Sequence, residues 1–440
     1  MNGNKIFKLV LIILIGFIVS GCSKEILDTK SLLKPPKISN KYEEIQLSLN
    51  KIIDDYTLVT PDEGINKDVI YLFNLFGDEK EESIIILKDN IANQMKIIIL
   101  KQSDNNEWIL EKSFSGSGYG VKRVDFKDLD GDGLSEIIIG WKGATAINNG
   151  ISVYSIVNNK FDEVFNETYT TYGIADVDND FNDELLVIKL DRSKGKANAT
   201  LYGLDINSKL MYYIDQVKMD GYVNNYYSIS CGNVSADRNG FLVDVSIGAH
   251  SSYTDLIIFR NGRLKNVFYN DKWEYTDLTF RPYSSKSLDV DNDSILEIPL
   301  LRVPKGYENA SLAETPFITV WMEWNGLDGL KYDVETFSDY KNNFTLIFPK
   351  KWKNNVTVKV VDNKYFFQYY SISEKKMYDV FELLVIDKKE YYDNKYKYAD
   401  YNILETKINK EYLVKINEDI NEDDAIINFE FIKENFKLGR

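Results

Sequence analysis

The sequence predicts a mainly β chain of about five four-stranded repeats, followed by a small α+β region. Three observations predict it: a nine-residue acidic register that recurs with a period near fifty residues, a β-branched run directly after the acidic copies, and two further apolar runs split by turn residues in every period.

The clearest copy of the register is Asp128-Leu-Asp-Gly-Asp-Gly-Leu-Ser-Glu136, running into Ile137-Ile138-Ile139. Carboxylates at alternate positions, glycine where the backbone must bend and a closing fourth carboxylate can wrap one hard cation with oxygen ligands, and calcium is the expected ion. An EF-hand is excluded, because its closing Glu would fall at Ile139 and a β-branched run stands where its second helix would begin. The register returns at Asp176-Val-Asp-Asn-Asp-Phe-Asn-Asp-Glu184, before Leu185 to Ile188, and at Asp289-Val-Asp-Asn-Asp-Ser-Ile-Leu-Glu297, before Ile298. Decayed copies fit the frame at Asn74 to Glu82, keeping Asp78 and Glu82, and at Ser235 to Val243, keeping Asp237, Asn239 and Gly240. The five starts lie 54, 48, 59 and 54 residues apart.

Each copy is followed by paired apolar runs: Ile97 to Leu100 and Trp108 to Leu110, Val153 to Val157 and Phe161 to Phe165, Leu201 to Leu204 and Met211 to Ile214, Leu256 to Phe259 and Leu264 to Phe268, Phe317 to Trp324 and Leu330 to Val334. Asn158-Asn159, Asn261-Gly262 and Asn325-Gly326 are hairpin signals. With a strand such as Val121 to Phe126 leading into the next loop, each period holds about four strands, the count of a β-propeller blade. Five blades are expected, with six or seven as the alternative if a flank supplies a divergent one.

These residues resemble the FG-GAP or VCBS repeats of bacterial surface proteins and integrin α-chain propellers, over roughly residues 60 to 335. The resemblance implies a β-propeller with calcium in its loops. Carried over residue by residue, the ligands it implies are Asp128, Asp130, Asp132 and Glu136 with the Leu134 carbonyl; Asp176, Asp178, Asp180 and Glu184 with the Asn182 carbonyl; and Asp289, Asp291, Asp293 and Glu297 with the Ile295 carbonyl. Phe181 and Ser294 stand where the family prefers Gly, while Phe76 and Val243 replace acids, so the first and fourth copies are expected to be metal-free.

In chain order, Lys5 and Lys8 precede an apolar run from Leu9 to Val19 that ends in Ser20-Gly21-Cys22. The run is too short to span a bilayer, and residues 1–21 read as a lipoprotein signal peptide with Cys22 the lipidated, palmitate-bearing N-terminus. Residues 22–41, with Pro35-Pro36, read as a tether. Tyr42, Ile45, Leu49 and Ile52-Ile53 give a period near four and predict an amphipathic helix from about Tyr42 to Asp55, at the head of a propeller domain spanning 42–335. Beyond Val334 the register disappears, and Phe344 to Trp352, Val356 to Val361, Tyr365 to Tyr370 and Phe381 to Ile386 predict strands of a separate α+β domain from 338 to 440. Its Phe-Pro-x-x-Trp opening faintly resembles PsbP-like or Mog1-like domains. Tyr391 to Tyr401 reads as a strand edge or solvated turn.

Composition narrows the function. A formal net charge of −15 makes nucleic acid an unexpected partner. With Cys22 spent on lipid, Cys231 has no disulfide partner. His250 is the sole histidine, so His-cluster metal sites are excluded, and Gly116-Ser-Gly-Tyr-Gly120 lacks the Lys of a phosphate loop. Acids packed at alternate positions suit coordination better than glycoside cleavage, which needs two carboxyls across a cleft. The expectation is a non-enzymatic, lipid-anchored protein on the extracytoplasmic face of a bacterial membrane, with structural Ca²⁺ and a protein or polysaccharide ligand. The alternative is an extracellular polysaccharide-acting enzyme with its site at the propeller channel.

Overall fold

In the computed structural model, residues 40–78, 80–143, 149–270, 272 and 276–439 are described. The signal segment, Cys22 and the tether as far as residue 39 lie outside them; the last two residues of the expected tether, Asn40 and Lys41, already belong to the helix. The chain divides into a small unit, holding the N-terminal helix and Gln102–Ile109, and a large unit of Asp55–Lys101 and Leu110–Arg440.

In the small unit the helix runs Asn40–Ile52, with Glu43 in its first turn and Lys51 in its last, each complementing the helix dipole. Ile45 and Leu49, one turn apart, are buried. The Lys41 ammonium sits 5.9 Å from the Trp108 ring centroid.

The fold is mainly β, laid out as propeller-type blades: in chain order the described residues form a five-stranded antiparallel sheet, three four-stranded ones and two further five-stranded ones. In the first sheet Ile70–Phe73 pairs with one half of Glu82–Asp89 and Tyr56–Leu58 with the other half. The second sheet is Gly120–Lys127, Glu136–Lys142, Gly150–Val157 and Lys160–Thr168. The third is Thr171–Ala175, Glu184–Asp191, Lys196–Leu204 and Met211–Asp220. The fourth is Asn225–Ser235, Arg238–Ile247, Ser251–Arg260 and Arg263–Asn266. Alternate residues of these strands face neighbouring sheets; Leu186, Ile188, Phe241, Val243 and Val245 share one buried cluster across the third and fourth. The Asn158-Asn159 and Asn261-Gly262 turns have all four residues at positive φ, between 50° and 73°, as a tight type I′ hairpin requires.

The fifth sheet departs from expectation. Its first strand is reduced to a bridge from Leu288 to Glu297, after which come Ile298–Arg302, Ile318–Trp324, Leu330–Asp339 and Phe344–Ile347. Phe344–Ile347, expected to open a separate domain, pairs instead with Leu330–Asp339, and Phe436–Leu438 returns to pair with its other edge. The boundary expected at 338 thus falls inside a shared core, in which Phe337, Phe344 and Leu346 pack with Trp352 and with Val358, Phe367 and Phe381 of the sixth sheet. That sheet, Val356–Val361, Lys364–Ser371, Lys376–Asp387, Lys410–Ile416 and Asn402–Thr406, carries short helices Lys388–Asp393 and Phe429–Asn435, so the region is α+β. The tyrosine-rich stretch is helical where a strand edge or turn was expected, because the Asp387 carboxylate caps it by accepting from the N–H groups of Lys389 and Glu390.

The segment between the fourth and fifth sheets is fixed by a buried ion pair. Arg281 and Asp244 are both fully buried, joined at 2.9 Å. Asp244 also accepts from the Ser287 N–H at 2.8 Å and the Thr254 hydroxyl at 2.7 Å, and Arg281 donates to Thr254 Oγ1 at 2.9 Å. Removing one partner leaves a buried charge unmatched. Arg281→Ala is expected to cost about 3–5 kcal/mol in urea unfolding, whereas Asp62→Ala, which breaks the exposed pair with Lys142, should cost less than about 1 kcal/mol. Equal losses would contradict the assignment.

Candidate metal centres

The acidic copies are the hairpin loops that join first to second strands. In each, the ninth residue pairs with the residue just before the loop: Phe73 with Glu82, Lys127 with Glu136, Ala175 with Glu184 and Leu288 with Glu297. The glutamate is buried, and its Oε2 accepts from the N–H of the loop's second residue: Leu75 at 2.8 Å, Leu129 at 2.8 Å, Val177 at 2.9 Å and Val290 at 2.7 Å. In these four copies the apolar run therefore begins on a buried acid, which explains why the closing carboxylate and the apolar run travel together there.

The first aspartate organises the turn. Asp128, Asp176 and Asp289 each accept from the fourth and sixth N–H groups, at 2.7–3.1 Å. The seventh N–H groups, of Leu134, Asn182 and Ile295, donate to the carboxylates of Asp132, Asp180 and Asp293, each at 2.8 Å. Both bends need a left-handed backbone. Gly131 and Gly133 supply it in the first loop, while Asn179, Phe181, Asn292 and Ser294 adopt φ of 63–76° without glycine.

Carboxylate oxygens converge within 4.8 Å of one another in three groups: Asp128, Asp130 and Glu136; Asp176, Asp178 and Glu184; and Asp289, Asp291, Asp293 and Glu297. Two predicted ligands stand apart from these groups. Asp132 is held at 2.6 Å by the Lys209 ammonium, which also reaches Asp130. The Asp180 carboxylate accepts the Asn182 side-chain amide at 3.1 Å. In the third loop Lys350 lies 3.3 Å from Asp291 and bonds Asp333.

The donor set fits a hard cation. It consists of oxygens alone, and Asp291 Oδ1 and Glu297 Oε1 are buried without a hydrogen-bond partner. Burial, opposed by the Leu129 N–H bond and reinforced by Asp130, pushes Glu136 up to about 7. Burial and neighbouring aspartates push Glu184 and Glu297 up to about 8. A cation among these oxygens would replace repulsion with attraction.

The decayed copies differ. At Asn74 to Glu82 the framework persists, but Phe76 at the third position packs edge-on against Phe161, with centroids 5.5 Å apart. At Ser235 to Val243 there is no nine-residue loop: Ser235 pairs with Arg238 across a two-residue turn, and Phe241 and Val243 are already core positions of the second strand. With valine at the ninth position, no acid turns back onto the loop.

A groove of about 450 Å³ opens where the first strands of the second, third and fourth sheets meet, and sequence reasoning named none of its residues as a site. Arg123 Nε bonds Asp125 at 3.0 Å, and the Tyr172 hydroxyl donates to the same carboxylate at 2.8 Å. Cys231 also lines the groove, and burial pushes its thiol up to about 11, leaving it unreactive. These partners come from strands about fifty residues apart, a juxtaposition without a local signal.

No protein-family model and no curated protein matches the sequence. Among solved structures, the chain is similar to Saccharomyces cerevisiae Sqt1 at 8% identity and a TM-score of 0.37, covering 79% of this chain and 95% of that one. It is similar to the β-propeller domain of the Trilobed protease from Pyrococcus furiosus at 10% identity and a TM-score of 0.27, covering 72% and 89%. The Dos1 propeller matches at 9% identity and a TM-score of 0.33, with 72% of each chain covered.

The raised carboxyls set a pH dependence. In the ion-free protein their folded pKa values exceed the unfolded ones, so these groups favour folding below about 4.5 and lose that contribution as pH rises through 7 to 8. Ion binding needs them ionised. Calorimetric Ca²⁺ affinity is expected to be weaker by about tenfold or more at pH 6 than at pH 8.5; equal affinity would contradict the raised values.

Proposed function

We propose that this chain is a lipid-anchored binding protein on the extracytoplasmic face of a bacterial membrane, of the FG-GAP/VCBS kind, with Ca²⁺ in three loops and a protein or polysaccharide partner. The observation that carries the reading is the repeated geometry of the acidic loops. In the second, third and fifth sheets, carboxylates converge from the same register onto a buried glutamate at a strand's start. Placement at strand starts suits an ion that stabilises blades. The anchor rests on the sequence, from Lys5 and Lys8 through the apolar run to Cys22.

The inner groove favours binding over catalysis. A polysaccharide-cleaving site needs two carboxyls with separated roles across a cleft. Of the two acids lining the groove, Asp125 is neutralised by Arg123, and Glu63 is exposed beside Lys122 at 3.8 Å.

Cys22→Ala is expected to move the protein from the membrane to the soluble fraction or to leave the precursor unprocessed. The wild-type chain is expected to co-sediment with envelope polysaccharide or to retain an envelope protein on crosslinking. A Cys22→Ala variant that stays in the membrane at the wild-type processed size would contradict the anchor.

A further inference from the structure

A second cleft, of about 510 Å³, lies between the fourth and fifth sheets. Its walls come from the turn after Arg238–Ile247, the segment before Leu288, the start of Ile318–Trp324 and the turn after Leu330–Asp339. In the fifth sheet the acidic loop leads into Ile298–Arg302, whose far end, at Arg302, pairs with Ile318. The cleft therefore sits at the opposite end of the strands from the acidic loops.

Its chemistry differs from the rest of the surface. Charged residues make up 28% of the chain, yet none of the twelve lining residues is Asp, Glu, Lys or Arg. Three rings follow one another along it: His250 and Tyr283 with centroids 6.5 Å apart, then Tyr283 and Phe317 at 5.7 Å. Tyr340, 81% exposed, stands at the cleft's edge. Ser and Thr residues, among them Ser285 and Thr319, complete the lining.

We propose that this cleft binds a short neutral oligosaccharide, a step that rests on the reading of the chain as a surface binding protein and names what it recognises. A sugar ring has C–H faces that pack on aromatic rings and a rim of hydroxyls that exchange hydrogen bonds with Ser and Thr. A charged ligand would find no counter-charge in this lining, and a wholly apolar one would cover its Ser and Thr hydroxyls without offering them hydrogen bonds. The wall bearing Tyr283 is pre-set: Ser252 and Arg281 exchange backbone hydrogen bonds at 2.8–2.9 Å, the Ser252 hydroxyl donates to the Tyr283 carbonyl at 3.0 Å, and Arg281 is pinned by Asp244. A pre-formed wall lowers the ordering cost of binding.

The test is calorimetry on the full-length chain in detergent with chitotetraose, cellotetraose and mannotetraose, and with tetragalacturonate as the anionic control. At least one neutral tetrasaccharide should bind with roughly millimolar affinity or tighter, and Tyr283→Ala and Tyr340→Ala should each weaken it about tenfold. Tyr340→Ala removes an exposed ring, so its melting temperature should match wild type. The assignment is overturned if no neutral probe binds, if both variants bind as wild type does, or if tetragalacturonate binds best. Should the double variant still co-sediment with envelope polysaccharide, the cleft assignment fails while the surface-binding reading stands. Should wild type neither co-sediment nor retain an envelope protein, the surface-binding reading fails.

Discussion

Like charge held at the start of a strand is the constraint on which the blades depend. In three sheets the hairpin loop that opens the second strand gathers three or four carboxylates within 4.8 Å of one another. The same glutamate that closes the group also accepts the N–H of the loop's second residue, so it cannot swing into solvent without breaking the turn. Two routes relieve the repulsion short of an ion. The closing acid can take up a proton, which burial first and the neighbouring aspartates second favour by raising its pKa, or a neighbouring ammonium can approach, as Lys209 does at Asp130 and Asp132 and Lys350 at Asp291. A divalent ion does more than either, because it meets all the oxygens at once.

Much of this was legible in the sequence because it is local. Register, closing acid, β-branched run and hairpin asparagines all act within a dozen residues, and the strands and turns they predict are present. Phe181 and Ser294 needed the structure to show that the bend survives without glycine; both take a left-handed φ, at 76° and 74°. The copy at Ser235 keeps acidic-register residues without the loop: Asp237 lies in a two-residue turn, while Asn239 and Gly240 already pair with Asn233 and Gly232 in the strand that buries Phe241 and Val243. Phe344–Ile347 reads in the sequence as the start of a new domain because the motif ends before it, yet it is the strand that pairs with Leu330–Asp339 and extends the fifth sheet. The cleft had no signal at all, since His250, Tyr283, Phe317 and Tyr340 are ordinary turn and strand residues until the sheets bring them together.

The two ends of the fourth and fifth sheets serve different demands. At one end the loop before Ile298–Arg302 carries concentrated negative charge around buried oxygens. At the other, turns of the fourth and fifth sheets form an uncharged cleft faced with rings and hydroxyls. The buried Arg281–Asp244 pair links these demands, fixing the segment that leaves the fourth sheet, shapes the cleft wall and then enters the third acidic loop at Asp289. A buried pair of this kind contributes little net stability but strongly penalises any arrangement that separates its partners, which suits a segment with no ladder of its own.

Thermal unfolding with and without calcium tests the central claim most directly. An ion tenfold above a dissociation constant of roughly 10⁻⁴ to 10⁻³ M contributes about 1.4 kcal/mol per site, so three independent sites would add about 4 kcal/mol to a stability of typically about 5–15 kcal/mol. The melting temperature at pH 8 should rise by several degrees in Ca²⁺ at ten times that constant relative to excess chelator, with Asp130→Ala, Asp178→Ala and Asp291→Ala each losing part of the rise and Asp237→Ala losing little. A melting temperature indifferent to calcium and chelator would contradict the account.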